Sequence, residues 1–313
     1  MAAGVSTAAG SVPAPRSVPS EAVRDAAAGF AGYHLLFLVV GSAVAIGVIF
    51  SKTRLFRGGG LDRGGARDPT SHPAVLWLFA AIVVILLQGM AAGLVRDWMD
   101  IGPMKDALGG VKVRGAVALA AGGVGLAAAI GMAVLLARPT SGRGGERSGL
   151  RVRLVDVPIG LGWFALAYPI VGLGGWLAAA AARRFLDASA DPIAHETLSD
   201  ITKSSGNPWA WGLIFGAAFA APVVEELVYR GMVQSAVRRV VRSAWAAVVI
   251  TSAGFCLMHW TVVPEGSRHQ LVTLLLLSVA FGAAFERTRS IGVPIVMHAC
   301  FNGLNILLAL AAT

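Results

Sequence analysis

Eight apolar windows divide this chain, at about 31–50, 74–95, 115–137, 155–182, 209–237, 243–263, 270–285 and 291–312. A helix needs about 20 apolar residues to cross the hydrocarbon core of a bilayer, and most of these windows have that length. Inside lipid each segment must satisfy its own backbone N–H and C=O groups, which a helix does without a partner strand. Composition points the same way: 56% of the 313 residues are hydrophobic, only 14% are charged, and the mean hydropathy is +0.71. The expected fold is all-α, a polytopic integral membrane protein with about eight transmembrane helices in one bundle. Seven is the competing count, because the 270–285 window is short.

The loops test that arrangement. Loop 51–73 carries Lys52, Arg54, Arg57, Arg63 and Arg67, and loop 138–154 carries Arg138, Arg143, Arg147, Arg151 and Arg153. The connections at 238–242 and 286–290 are basic too, whereas 183–208 holds Asp187, Asp191, Glu196 and Asp200. Alternation of this kind is the positive-inside pattern. It predicts a multi-pass protein of the cell membrane with the four basic loops in the cytoplasm and both termini outside. It also accounts for the formal charge of +9 without nucleic acid as a partner. Membrane lipid is the partner the composition does imply.

Three segments are expected. Residues 1–30, rich in Ala, Ser and Pro, read as a disordered tail and not as a signal peptide. Residues 31–208 hold the N-terminal transmembrane helices and their loops, and 209–313 form the core that carries the chemistry. Gly and Ala crowd Ala120–Ala129 and Gly172–Ala182, which predicts close helix approach. The two cysteines, Cys256 and Cys300, lie in apolar windows and build no disulfide framework; small core hydrophobes is the simplest account of them.

Charged groups at bilayer depth cost several kcal/mol and are retained for a task. Glu225, Glu226 and Arg230 stand in one such window. Glu226 and Arg230 are four apart with the acid first, the favourable order for an ion pair on one helix face. Glu225 points about 100° away and is left without that partner, which suits a general base. Tyr229 shares its stripe. His259 lies four residues after Phe255, and His298 four before Asn302. A histidine beside a glutamate can hold and activate a water, and N–H donors can stabilise the oxyanion that follows attack on a carbonyl. Each group alone has a structural explanation, such as an interhelical hydrogen bond; the conjunction is what suggests hydrolysis. A metal-free site is favoured, with no cofactor required. Zinc on Glu225, His259 and His298 is the alternative, since such donors with an open position activate water. His72, His195 and His269, at loops or segment ends, are expected to be solvated.

At these residues the chain resembles the CAAX-protease and bacteriocin-processing (CPBP) family of intramembrane endopeptidases, which includes the type 2 CAAX prenyl proteases and lysostaphin-resistance-like proteins. The resemblance rests on EELVYRG from Glu225 to Gly231, FCLMH from Phe255 to His259, and HACFN from His298 to Asn302, in the family's order. It covers about 209–312, one third of the chain. It implies that Glu225 and His259 activate water, that His298 and Asn302 stabilise the oxyanion, and that Glu226 and Arg230 organise the site. Tyr229 stands where phenylalanine is commoner. The substrate it implies is a protein or peptide, with or without an attached lipid. The rival class is a non-enzymatic membrane protein, with a bacteriocin-immunity, scaffold or transport role, that keeps the polar cluster for binding. A proton-linked transporter would be expected to spread core carboxylates over several helices, and in the sequence they are confined to one window.

Overall fold

The computed structural model describes residues 21–53, 55, 60–62, 67, 69, 72–100, 110–137, 148–185, 196–204 and 206–311. Every regular element among them is helical. The long helices are α1 (Glu21–Val48), α2 (Ala74–Asp100), α3 (Gly110–Ala137) and α4 (Asp156–Phe185). A short α5 (Glu196–Lys203) precedes α6 (Ala210–Val241), α7 (Ala244–Met258), α8 (Gln270–Thr288) and α9 (Gly292–Ala311). Residues 1–37 and Leu38–Thr313 are separate compact units, and the described part of the first is the beginning of α1. Of the tail expected over 1–30, residues 1–20 lie outside the described residues, while 21–30 are helical. His195, Asp187, Asp191 and the loop arginines 54, 57, 63, 138, 143 and 147 also lie outside them.

Among the described residues, seven helices are long and apolar enough to cross a membrane. The 243–263 window gives the shortest of the eight apolar helices, the 15-residue α7, which falls outside the seven by length. At 1.5 Å per residue that is about 22 Å, short of the hydrocarbon core. The window expected to be short, 270–285, instead extends to the 19 residues of α8. α7 stops because the chain turns at His259, whose N–H bonds the carbonyls of Cys256 and Leu257. Pro264 then follows, which lacks an N–H and disfavours helix in the residue before it.

α6 and α8 are the most enclosed spans. One core packs Trp77 and Val84 of α2 and Ala129 and Leu136 of α3 against Val224, Val228 and Met232 of α6. A second joins Val171 of α4, Leu277 and Phe281 of α8, and Val293 and Met297 of α9. Glycine sets the α3–α6 approach: a Cβ on Gly115 would lie 2.5 Å from the Trp209 carbonyl oxygen, and one on Gly122 3.0 Å from Ala220 Cβ. Small residues here allow backbones to meet that larger ones would hold apart.

Two residues expected to be solvated are buried. Arg67, counted above as a loop charge, is 2% exposed and pairs with Glu286 of α8 at 2.8 Å. It also donates to the Ser148 carbonyl (3.0 Å) and Ser235 Oγ (2.7 Å), and lies over the Phe285 ring at 4.3 Å. Gln234 Nε2 donates to the same Glu286 oxygen at 2.8 Å. Buried carboxylates are therefore not confined to one helix. A charge this deep is held only with hydrogen-bonded partners, which the loop and α6 supply together. His72 is likewise buried, bonded through Nε2 to the Leu136 carbonyl at 3.0 Å and edge-on to Trp77. The segment before α2 folds inward, and Trp77 Nε1 ties it down by donating to the Pro69 carbonyl.

Arg67→Ala is expected to destabilise the protein by about 3–5 kcal/mol, because it strands Glu286 in the core. Replacing both members with apolar residues of similar size should cost much less. Thermal melts of the two variants in one detergent measure the difference, and an unchanged midpoint for Arg67→Ala would contradict the pairing.

Candidate active site

The carboxylates lie where α6 departs from ordinary α geometry. Residues Gly216–Ala220 and Glu226–Val233 wind as π-helix, and Gln234 N–H closes the second stretch on the Tyr229 carbonyl, five residues back. Such wide turns are less favourable than α-helix and collect at functional sites. Here the second one carries Glu226 and Arg230 into the space between α6, α8 and α9.

Glu226 is 0% exposed. Its Oε1 accepts from Arg230 Nη1 at 3.1 Å and from His298 Nδ1 at 2.8 Å. Arg230, 1% exposed, sends its other terminal nitrogen to Ser278, reaching Oγ at 2.7 Å and the carbonyl at 3.2 Å. Its guanidinium lies 4.9 Å from the Phe255 ring centre and 5.4 Å from that of Phe281. A cation so enclosed needs both the carboxylate and the aromatic faces. The arginine pairs with Glu226 and leaves Glu225 as the outer carboxylate, with a side chain 28% exposed.

His298 ties the two acids together. The Arg230-paired carboxylate of Glu226 is an acceptor, so Nδ1 of His298 carries the hydrogen. That tautomer turns Nε2 toward Glu225, whose Oε2 is 3.9 Å away. The separation is too long for a direct hydrogen bond and leaves room for a bridging water. Phe281 stacks on the ring at 5.1 Å and holds it flat against α8.

Phe255 of α7 is the hub of the remaining groups. Tyr229 and His298 meet it edge-on at 5.0 and 6.4 Å, and His259 lies tilted against it at 4.4 Å. His259 caps α7, and its Nδ1 donates to the Phe255 carbonyl at 2.8 Å, which leaves Nε2 as the open nitrogen. The described ion pairs join His298, and not His259, to the carboxylates. Asn302 is half-buried on α9 and spends one amide hydrogen on the Ala217 carbonyl of the first π stretch, at 2.8 Å. Its second amide hydrogen is left for another acceptor.

The structure thus bonds Glu226, Arg230 and His298 into one cluster and sets Glu225 beside it, 3.9 Å from His298. His259 joins it through Phe255, and Asn302 is anchored to α6 instead. Among the described residues no group of three His, Cys, Asp or Glu side chains is placed to hold a metal ion. Sequence reasoning missed Ser278 and Phe281. The signal was present: Ser278, Gly282 and Glu286 repeat every four residues, opposite Arg230 and Gln234 on α6.

Arg230→Ala should cost about 3–5 kcal/mol of stability, since Glu226 Oε2 is already without a partner and Oε1 would keep only His298. Arg230→Lys should recover part of that loss. Melts matching the wild type for Arg230→Ala would show that the pair is dispensable.

Comparison with known proteins follows this geometry. No curated protein and no solved structure matches the chain. Residues 207–304 match the family model described as type II CAAX prenyl endopeptidase, Rce1-like. The C-terminal third of this chain, which supplies all three motif helices of the cluster, is similar to the type II CAAX prenyl endopeptidases, in line with a CAAX-protease (CPBP) family.

Proposed function

We propose that the chain is a CAAX-protease-like intramembrane endopeptidase that hydrolyses a peptide bond with a water activated by Glu225 and a histidine. The observation that carries this reading is the seating of His298, bonded to Glu226 through Nδ1 and 3.9 Å from Glu225 through Nε2. It sets a fixed imidazole beside the one carboxylate of the cluster that remains partly exposed. Glu225 takes a proton from the water as its oxygen bonds to the peptide carbonyl carbon. The same carboxyl then gives that proton to the departing amine nitrogen as the C–N bond breaks.

The histidines differ in what they can add. The open Nε2 of His259 can accept a hydrogen bond from the attacking water, as the motif resemblance implies. His298 is the imidazole anchored by a buried carboxylate, and Asn302 retains one amide N–H; these two are the candidates for the developing oxyanion. Glu226 and Arg230 position His298 and do not meet the substrate. The substrate is a protein or peptide that reaches the site from the bilayer, with or without a lipid of its own. The alternation of basic loops supports a cytoplasmic opening.

Glu225→Gln keeps the shape and removes the proton acceptor. Hydrolysis of a peptide identified by its shortened product should fall on the order of 10²–10⁴-fold, with the unfolding midpoint preserved. Near-wild-type turnover would remove Glu225 from the role of base. Activity should also survive exhaustive chelation; loss on chelation with restoration by zinc alone would replace the metal-free mechanism.

A further inference from the structure

A second organised region lies where the start of α4 meets the turn between α8 and α9, and the peptidase chemistry does not use it. Asp156 is its buried anchor: Oδ2 accepts from the Arg153 N–H at 2.7 Å and from Ser290 Oγ at 2.6 Å. Ile291 N–H donates to the Gly149 carbonyl at 2.9 Å, and Arg151 Nε to the Arg289 carbonyl at 3.2 Å. These bonds fix the start of α4 against the end of α8.

The outer side of the junction is cationic. Arg153, Arg287 and Arg289 are exposed and Arg151 is half-exposed, while among the described residues the nearby carboxylates, Asp156 and Glu286, are buried and engaged. Between the arginines runs an exposed aliphatic stretch of Val152, Leu154, Val155 and Val157, with Leu154 93% exposed. Arginine beside exposed aliphatic side chains suits the boundary between headgroups and acyl chains.

A groove of about 410 Å³ opens from this end between α4 and α8. Ile159, Trp163 and Leu166 form its apolar wall, with Arg287 and Thr288 on the α8 side. Gly162 makes its floor, and a Cβ there would meet nothing within 4 Å. The Asp156–Ser290 bond places Arg287 near the first turn of α4, so the positive end of the groove is at the membrane boundary and the apolar part runs inward.

We propose that this groove binds one anionic glycerophospholipid of the surrounding bilayer, with an acyl chain along Ile159, Trp163 and Leu166 and the phosphate at Arg287. Charge complementarity selects the anionic headgroup, because basic recesses between membrane helices attract such lipids. The apolar length of the groove selects a lipid over free phosphate, which would use only its rim.

The test is native mass spectrometry of the full chain, delipidated in detergent, with equal amounts of phosphatidylglycerol and phosphatidylcholine. One phosphatidylglycerol adduct should be retained at least about fivefold over phosphatidylcholine, the factor by which one arginine favours a net-negative headgroup over a zwitterionic one. Gly162→Leu adds a side chain where a Cβ meets nothing within 4 Å, and should abolish that adduct while its lipid-free melting point stays that of wild type. Arg287→Gln should lower phosphatidylglycerol to the level of phosphatidylcholine, and it decides the matter if Gly162→Leu does not fold. Equal retention of the two lipids by the wild type, or an undiminished adduct in both variants, overturns the proposal. Displacement by inorganic phosphate would assign the rim to free anions, and displacement only by a lipidated peptide would assign the groove to substrate; either also overturns it. None of these readouts depends on peptide hydrolysis.

Discussion

Glu226 has no contact with solvent, and three helices are arranged around that fact. Taking a carboxylate and a guanidinium out of water costs several kcal/mol each, and their attraction offsets this only when further hydrogen bonds complete the arrangement. Here α6 supplies the acid and Arg230, α8 supplies both acceptors of Ser278, and α9 supplies the imidazole of His298. Displacing any one of these helices strands a charged or polar group in a dry interior. The requirement for complete pairing is therefore what fixes the relative placement of α6, α8 and α9, and with it the position of Glu225 beside His298.

The same logic continues along α6 and α8 toward the far end of the pair. Arg230 on one helix bonds Ser278 on the other, and Gln234, four residues on, bonds both Gly282 and Glu286. Arg67, from the segment before α2, closes the row on Glu286 and on Ser235. Ser235 in turn donates to the Gly231 carbonyl, inside the π-helical stretch. One continuous set of hydrogen bonds thus runs from the N-terminal half of the chain to the helix that holds the two acids. The first half is more than a lipid-facing jacket; it braces a stretch of backbone that ordinary helical geometry would not keep.

Much of this was legible in the sequence, for reasons that also mark where legibility ends. Run length and hydropathy reveal lipid-spanning segments, and they placed seven of them well. They do not register that the helix gives way to turns at His259, so the 243–263 window reads as one longer helix than the 15 residues of α7. The spacing of Glu226 and Arg230 identified a real ion pair, but a four-residue rule presumes α geometry and cannot announce a π turn. Arg67 and Glu286 sit at the borders of apolar windows, where composition assigns charge to solvent; only the folding back of a loop turns them into a buried pair. Asn302 was recognised by motif, yet its partner could not be: the Ala217 carbonyl is open because Ala221 N–H bonds Gly216 and Pro222 has no N–H to offer.

The early end of α7 has a consequence for solvent. Beyond Met258 the chain makes turns, with Val262 and Val263 N–H groups returning to the His259 carbonyl. Irregular backbone cannot face acyl chains, because its unpaired polar groups would have nothing to bond; it must face protein or a hydrated hollow. A helix about 22 Å long therefore leaves a notch in the low-dielectric slab at the depth of His259. On the proposed hydrolytic reading each turnover consumes one water, and the hollow at this end of α7 lies beside His259, one of the groups that would hold it.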